Sequence, residues 1–123
     1  MAEKLELLSM RPNLPVHDLT AAVDFYRDVL GFDVAHEDSV VGFALLRGGG
    51  AELALLRDEA SPPQGAYLYV SNVEEAHRRC QVAGARIPVP LTTQPWGLRD
   101  FVVEDPSANR IAIGEWTVQG RQP

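Results

Sequence analysis

Gln94-Pro95-Trp96-Gly97-Leu98-Arg99-Asp100-Phe101-Val102-Val103-Glu104-Asp105-Pro106-Ser107-Ala108-Asn109-Arg110-Ile111-Ala112-Ile113 reads as a loop aromatic, a strand, a turn and a second strand. Asp105-Pro106 opens the turn with proline at its second position and Asn109 near its end, between the apolar runs 101–103 and 111–113. The pattern predicts a β-hairpin. Trp96 lies between a proline and a glycine, outside regular structure, where its ring either meets a ligand or folds back over the core.

Working outward, the hairpin is the end of a unit that occurs twice. An extended stretch over residues 5–16, interrupted by Pro12 and Pro15, suits a strand near an edge or interface. Asp18 caps a helix whose Leu19, Ala22, Val23, Tyr26, Val29 and Leu30 recur at helical spacing until Gly31 ends it. Strands are predicted near residues 32–37, 40–47 and 51–57, the last two joined by Gly48-Gly49-Gly50. With no Lys-Ser/Thr after it, that run reads as a hairpin turn and not a phosphate loop.

Residues 58–65, with Ser61-Pro62-Pro63, form a polar link, after which the plan repeats. A strand over 66–70 leads to capping residues Ser71 and Asn72, with Glu74 at capping-box spacing from Ser71. Val73, Ala76, His77, Cys80 and Ala83 mark the helix face before Gly84, and strands follow near 87–91, 99–104 and 110–116. Val16-His17-Asp18-Leu19 registers with Val70-Ser71-Asn72-Val73, which gives βαβββ units at about residues 5–57 and 66–117. Each unit has one helix to cover one sheet face, so the units must pair, within a chain or between chains. The expected fold is α+β, a curved and cupped mixed sheet with helices outside, in a single domain spanning residues 1–123.

The 123 residues suffice for a core without metal or disulfide support. Cys80 has no cysteine partner in the chain and lies in a helical pattern, which makes it a buried apolar side chain in a reducing compartment. The longest apolar runs fall far below the ~18 residues of a membrane span, and no signal-peptide pattern is present, so a cytoplasmic protein with no membrane partner is expected. Seventeen acidic against eleven basic residues give a net charge of −6 with no basic cluster. That balance argues against nucleic acid and mildly favours cationic ligands.

Leu14-Pro15-Val16-His17-Asp18-Leu19, Phe25-Tyr26, Leu30-Gly31-Phe32 and Asp105-Pro106-Ser107-Ala108-Asn109 together resemble the glyoxalase, bleomycin-resistance and extradiol-dioxygenase (vicinal oxygen chelate) superfamily. Gln94-Pro95-Trp96-Gly97 is similar to the loop before the penultimate strand of its bleomycin-binding members. The resemblance implies paired βαβββ modules in a homodimer, with a ligand cleft at the subunit interface; the ligand expected there is a small, partly aromatic or cationic drug. It also implies that Tyr67 and Trp96 stand where bleomycin-binding relatives place stacking aromatics.

Enzymes of the superfamily hold a divalent metal through His and Glu side chains. Counted back from Asp18 and Asn72, the first-strand ligand positions fall at Arg11 and Gly65, and the last-strand carboxylate position at Ala112. Only Glu52 stands where a ligand is expected, and a lone carboxylate is a poor transition-metal site. His17, His36 and His77 are scattered, and no Ser-His-Asp order or Cys-His pair supports nucleophilic catalysis.

What remains is a concave sheet with aromatics and acids. Tyr67 and Tyr69 alternate with Leu68 and so share a face, while Phe43, Trp96 and Phe101 lie on other cleft strands or loops. The expected ligand contacts are Trp96, Tyr67, Phe43, Glu52, Tyr69 and Phe101, with no catalytic residue, metal or cofactor. Residues 37–47 offer Phe43 as their one aromatic, which leaves the particular drug open. The first reading is a non-catalytic protein that sequesters such a drug and gives antibiotic resistance. The alternative is a metal-dependent lyase, isomerase or dioxygenase of the same fold, using Glu52 with a divalent metal. A module whose cleft is vestigial or serves a larger assembly is a third.

Overall fold

A computed structural model describes residues 3–117. Its elements run β1 (Asn13–Val16), α1 (Leu19–Asp24) continuing into a π-helical turn (Phe25–Val29), β2 (Asp33–Asp38), β3 (Phe43–Gly48) and β4 (Ala51–Arg57). They continue with β5 (Gly65–Tyr69), α2 (Val73–Val82), β6 (Val89–Thr93), β7 (Leu98–Glu104) and β8 (Arg110–Trp116). This is the βαβββ unit twice, as the repeat predicts. Each unit forms a four-stranded mixed sheet, in the orders β1-β4-β3-β2 and β5-β8-β7-β6. Within each sheet the first strand lies parallel to the last and the other neighbours are antiparallel.

Asp18 caps α1 through its carboxylate, which accepts from Ala21 N at 3.1 Å, and Gly31 ends the helical run at φ +88°, a conformation a side chain disfavours. In place of a regular helix to Leu30, the last turn widens, and Phe25 and Tyr26 both stay buried. At α2 the cap is Asn72, accepting from Glu75 N at 3.2 Å, and Glu115 Oε1 accepts from Val73 N at 2.9 Å. Glu74, expected to complete a capping box with Ser71, pairs instead with Arg99 at 3.2 Å.

Strand β1 is shorter than the extended stretch predicted it. Residues 3–12 lie outside any strand, and Leu5, Leu7, Leu8 and Met10 are exposed. Pro12 and Pro15 lack the N–H that a second ladder would need, and β1 is the edge of its sheet.

The inward face of the first sheet carries Leu14, Val16, Ala44, Leu46, Leu53 and Leu55; that of the second carries Phe101, Val103, Ile111 and Ile113. With Tyr26 from the π turn and Val73 and Cys80 from α2, they form one continuous cluster across both halves. Burial raises the Cys80 thiol to about 11, consistent with a packed apolar side chain. No helix among the described residues is long and apolar enough to cross a membrane.

Candidate functional site

The 105–109 turn, which carries part of the superfamily pattern, is a joint between the halves. Asp105, Ser107 and Asn109 are buried. Asp105 accepts from Ser107 N, Asn109 N and Asn109 Nδ2 at 2.8–2.9 Å, and from the Tyr26 hydroxyl of the first half at 2.7 Å. Asn109 Nδ2 also donates to Pro15 O at 2.7 Å, Asn109 Oδ1 accepts from Gln64 N at 2.8 Å, and Ser107 Oγ accepts from His17 N at 2.9 Å. A polar turn is thus driven into the core with every buried side-chain atom paired, the condition under which such burial is tolerated. Burial first, then the charge and hydrogen bond of Asp105, raise the Tyr26 phenol well above its ordinary value, so it stays a donor.

Beside this joint a cavity of about 680 Å³ opens between β1 and β5, lined by Leu14, Phe32, Gly49, Glu52, Tyr67 and Tyr69 among others. That volume falls within the usual range of small-molecule sites. Strand register sets which side chains share a sheet face with its lining residues Tyr67 and Tyr69. Tyr67 stands beside Ala112, Tyr69 beside Gly114, Asp100 opposite Gly114 and Leu98 opposite Trp116, so all share the face turned away from α2. The Tyr67 and Tyr69 rings lie 4.8 Å apart, and Trp116 is nearly parallel to Tyr69 at 6.2 Å and 13°. Tyr67 reaches over Gly114 and donates to Asp100 Oδ2 at 2.8 Å, while Gln94 Nε2 donates to Oδ1 at 3.0 Å. A Cβ on Gly114 would collide with the Tyr67 hydroxyl, so only glycine allows this crossing.

The structure distributes the expected contacts unequally. Tyr67 and Tyr69 share the aromatic face. Glu52 lines the cavity but is ion-paired with Arg47 at 2.7 Å. Trp96 is 63% exposed in the turn between β6 and β7 and does not line the cavity. Phe43 is half-buried on the outer face of β3, with the Arg11 guanidinium 5.9 Å from its ring. Phe101 is wholly buried, its ring edge-on to His77 at 4.9 Å, so it belongs to the core. Sequence reasoning missed Asp100, Gly114 and Trp116. Their signal was parity, since Ala112, Gly114 and Trp116 alternate along β8 with the buried Ile111 and Ile113.

The donor set does not fit a superfamily metal. Gly65 and Ala112 have no donor atom in their side chains, Arg11 bonds to Asn13, and Glu52 is held by Arg47. Among the described residues no three His, Cys, Asp or Glu side chains converge.

Two βαβββ halves around a shared core define the fold class. The chain belongs to the Glyoxalase/Bleomycin resistance protein/Dioxygenase superfamily, whose family model matches residues 9–113. A bleomycin resistance protein of Geobacillus stearothermophilus is 28% identical over 87% of this chain and 96% of its own length. The bleomycin-binding protein of Streptomyces verticillus, solved with copper(II)-bleomycin, is 26% identical over 89% of this chain and 97% of its own, at a TM-score of 0.72. A lactoylglutathione lyase from Agrobacterium tumefaciens, 22% identical over 91% of this chain and 96% of its own with a TM-score of 0.76, shares the fold.

Proposed function

We propose that this chain is a non-catalytic binding protein that sequesters a small, partly aromatic drug, giving antibiotic resistance, in a cleft that a second copy of the chain completes. The observation that carries this reading is the open row Tyr67, Tyr69 and Trp116 beside a cavity of about 680 Å³. Aromatic faces contribute roughly 0.5–1.5 kcal/mol per well-placed ring contact, and sequestration asks for affinity without chemistry. The mismatched donor set and the bleomycin-resistance relatives support the same reading. Exposed Leu5, Leu7, Leu8 and Met10 ahead of an edge strand support the homodimer, because an unpaired apolar arm gains by covering another surface.

Trp96 and Trp116 are the two tryptophans of the chain, and Trp116 belongs to the aromatic row, so intrinsic fluorescence reports on the site. Titration with bleomycin should give a saturable quench, and light scattering should give the mass of a dimer. A flat titration with bleomycin and related glycopeptides counts against sequestration of that drug class. One equivalent of tightly held divalent metal per chain, in protein purified without chelator, would favour the enzymatic alternative.

A further inference from the structure

We infer that the open face of the second sheet takes a planar aromatic cation, with Asp100 as its counter-charge and the Tyr69–Trp116 pair as its stacking wall. This rests on the binding reading above and adds the residues that select the ligand's charge and shape. Asp100 is half-buried beside Tyr67, yet its two hydrogen-bond donors among the described residues, the Tyr67 hydroxyl and the Gln94 amide, are both neutral. Among the described residues no basic side chain is ion-paired with it; neighbouring Arg99 turns to Glu74 and Thr93. A carboxylate has roughly four acceptor sites, and here one on each oxygen is taken. The remaining acceptor capacity and the uncompensated charge lie on the same sheet face as the Tyr69 and Trp116 rings, whose π-faces also attract cations. A flat cation satisfies both features, whereas an anion of the same shape meets repulsion from Asp100 within a chain of net charge −6.

Gly114 and Tyr67 hold this arrangement open. With glycine on β8 the hydroxyl end of Tyr67 passes over the strand and fixes one carboxylate oxygen, while Gln94 fixes the other and ties the Trp96 loop to the same group. Burial and then the bond to Asp100 raise the Tyr67 phenol above its ordinary value, so it remains a donor to the carboxylate across the working pH range.

The test uses two planar tricyclic probes of opposite charge, proflavine and anthraquinone-2-sulfonate, titrated into the full chain and followed by fluorescence. Proflavine should bind more tightly than the sulfonate. Asp100→Asn, which keeps the shape and the bond from Tyr67 while its new amide donor meets the Gln94 side chain flipped to present its oxygen, should raise the proflavine dissociation constant about 5- to 10-fold. Glu59→Gln, which removes the same charge from the exposed link, should leave it unchanged, and Tyr69→Ala should weaken proflavine. Equal affinity for the two probes, or an unchanged constant in Asp100→Asn, overturns the inference; a persisting bleomycin quench would then leave the sequestration reading standing. Failure of proflavine to bind the wild-type chain also overturns it, and a flat bleomycin titration beside that result would remove the underlying reading as well.

Discussion

The molecule contains two tyrosine–aspartate pairs of nearly equal length, Tyr26 to Asp105 at 2.7 Å and Tyr67 to Asp100 at 2.8 Å, and they do different work. In the first, both side chains are buried and Asp105 takes three further donors from its own turn, so the pair locks the two halves together. In the second, Tyr67 is 39% exposed and Asp100 has one other partner among the described residues, so the carboxylate keeps capacity beside an open aromatic face. The same chemical contact is structural where solvent is excluded and the acceptor is saturated, and available for a ligand where neither holds.

The largest effect expected is on the joint. Asp105→Ala strands the Tyr26 hydroxyl and two turn amides in the core and should cost about 3 kcal/mol in urea unfolding, since each buried unsatisfied group carries a penalty of roughly 1–3 kcal/mol. Tyr26→Phe should cost about 1–2 kcal/mol. A loss below half a kilocalorie would mean that the buried pair is no stronger than the open one, and the contrast would fail. Tyr67→Phe, at the partly exposed pair, should cost only about 0.5 kcal/mol.

Gly114→Ala displaces Tyr67 from Asp100 and should cost about 1 kcal/mol by overpacking. In a Tyr67→Ala background most of that cost should vanish, and a double-mutant cycle measures the difference. Ala108→Gly acts in the opposite direction. Ala108 sits at φ +66°, where a side chain is strained, so glycine should stabilise by up to about 1 kcal/mol in the same unfolding experiment.

The buried pair also gives the joint a pH signature. A native Tyr26 pKa above the unfolded value of about 10 means that the native state keeps a proton the unfolded chain releases. The stabilisation is therefore complete below pH 10 and declines as pH rises above it. The stability gap between wild type and Tyr26→Phe should accordingly be full at pH 9 and smaller at pH 11. A gap that widens between those values would contradict the buried, protonated phenol.

Much of the fold was legible because periodicity and caps are local. Asp18, Gly31, the Gly48–Gly50 hairpin and the 105–109 turn all fall where the sequence places them. Residues 5–12 do not continue β1, because extended character gives a strand only where a neighbour offers a ladder. The site was legible in part. Tyr67 and Tyr69 share a face as alternation requires, but Phe101 has the parity of the buried Val103 and turns inward. Trp116 was passed over because its partner across the sheet, Tyr69, is remote in sequence. Nothing along the chain marks Asp100 as different from any other acid on a strand; its place opposite Gly114 does.

The sequence by itself determined the doubled βαβββ plan and the poverty of metal donors at the superfamily's ligand positions. Capping, turn formation and hydrophobic period act within a few residues, and glycine or alanine offers no side-chain ligand in any fold. Only the tertiary structure decided which tyrosine–aspartate pair is sealed and which is open. The partners lie 79 and 33 residues apart, and their burial depends on how two sheets and two helices meet, a long-range packing outcome that no local pattern encodes.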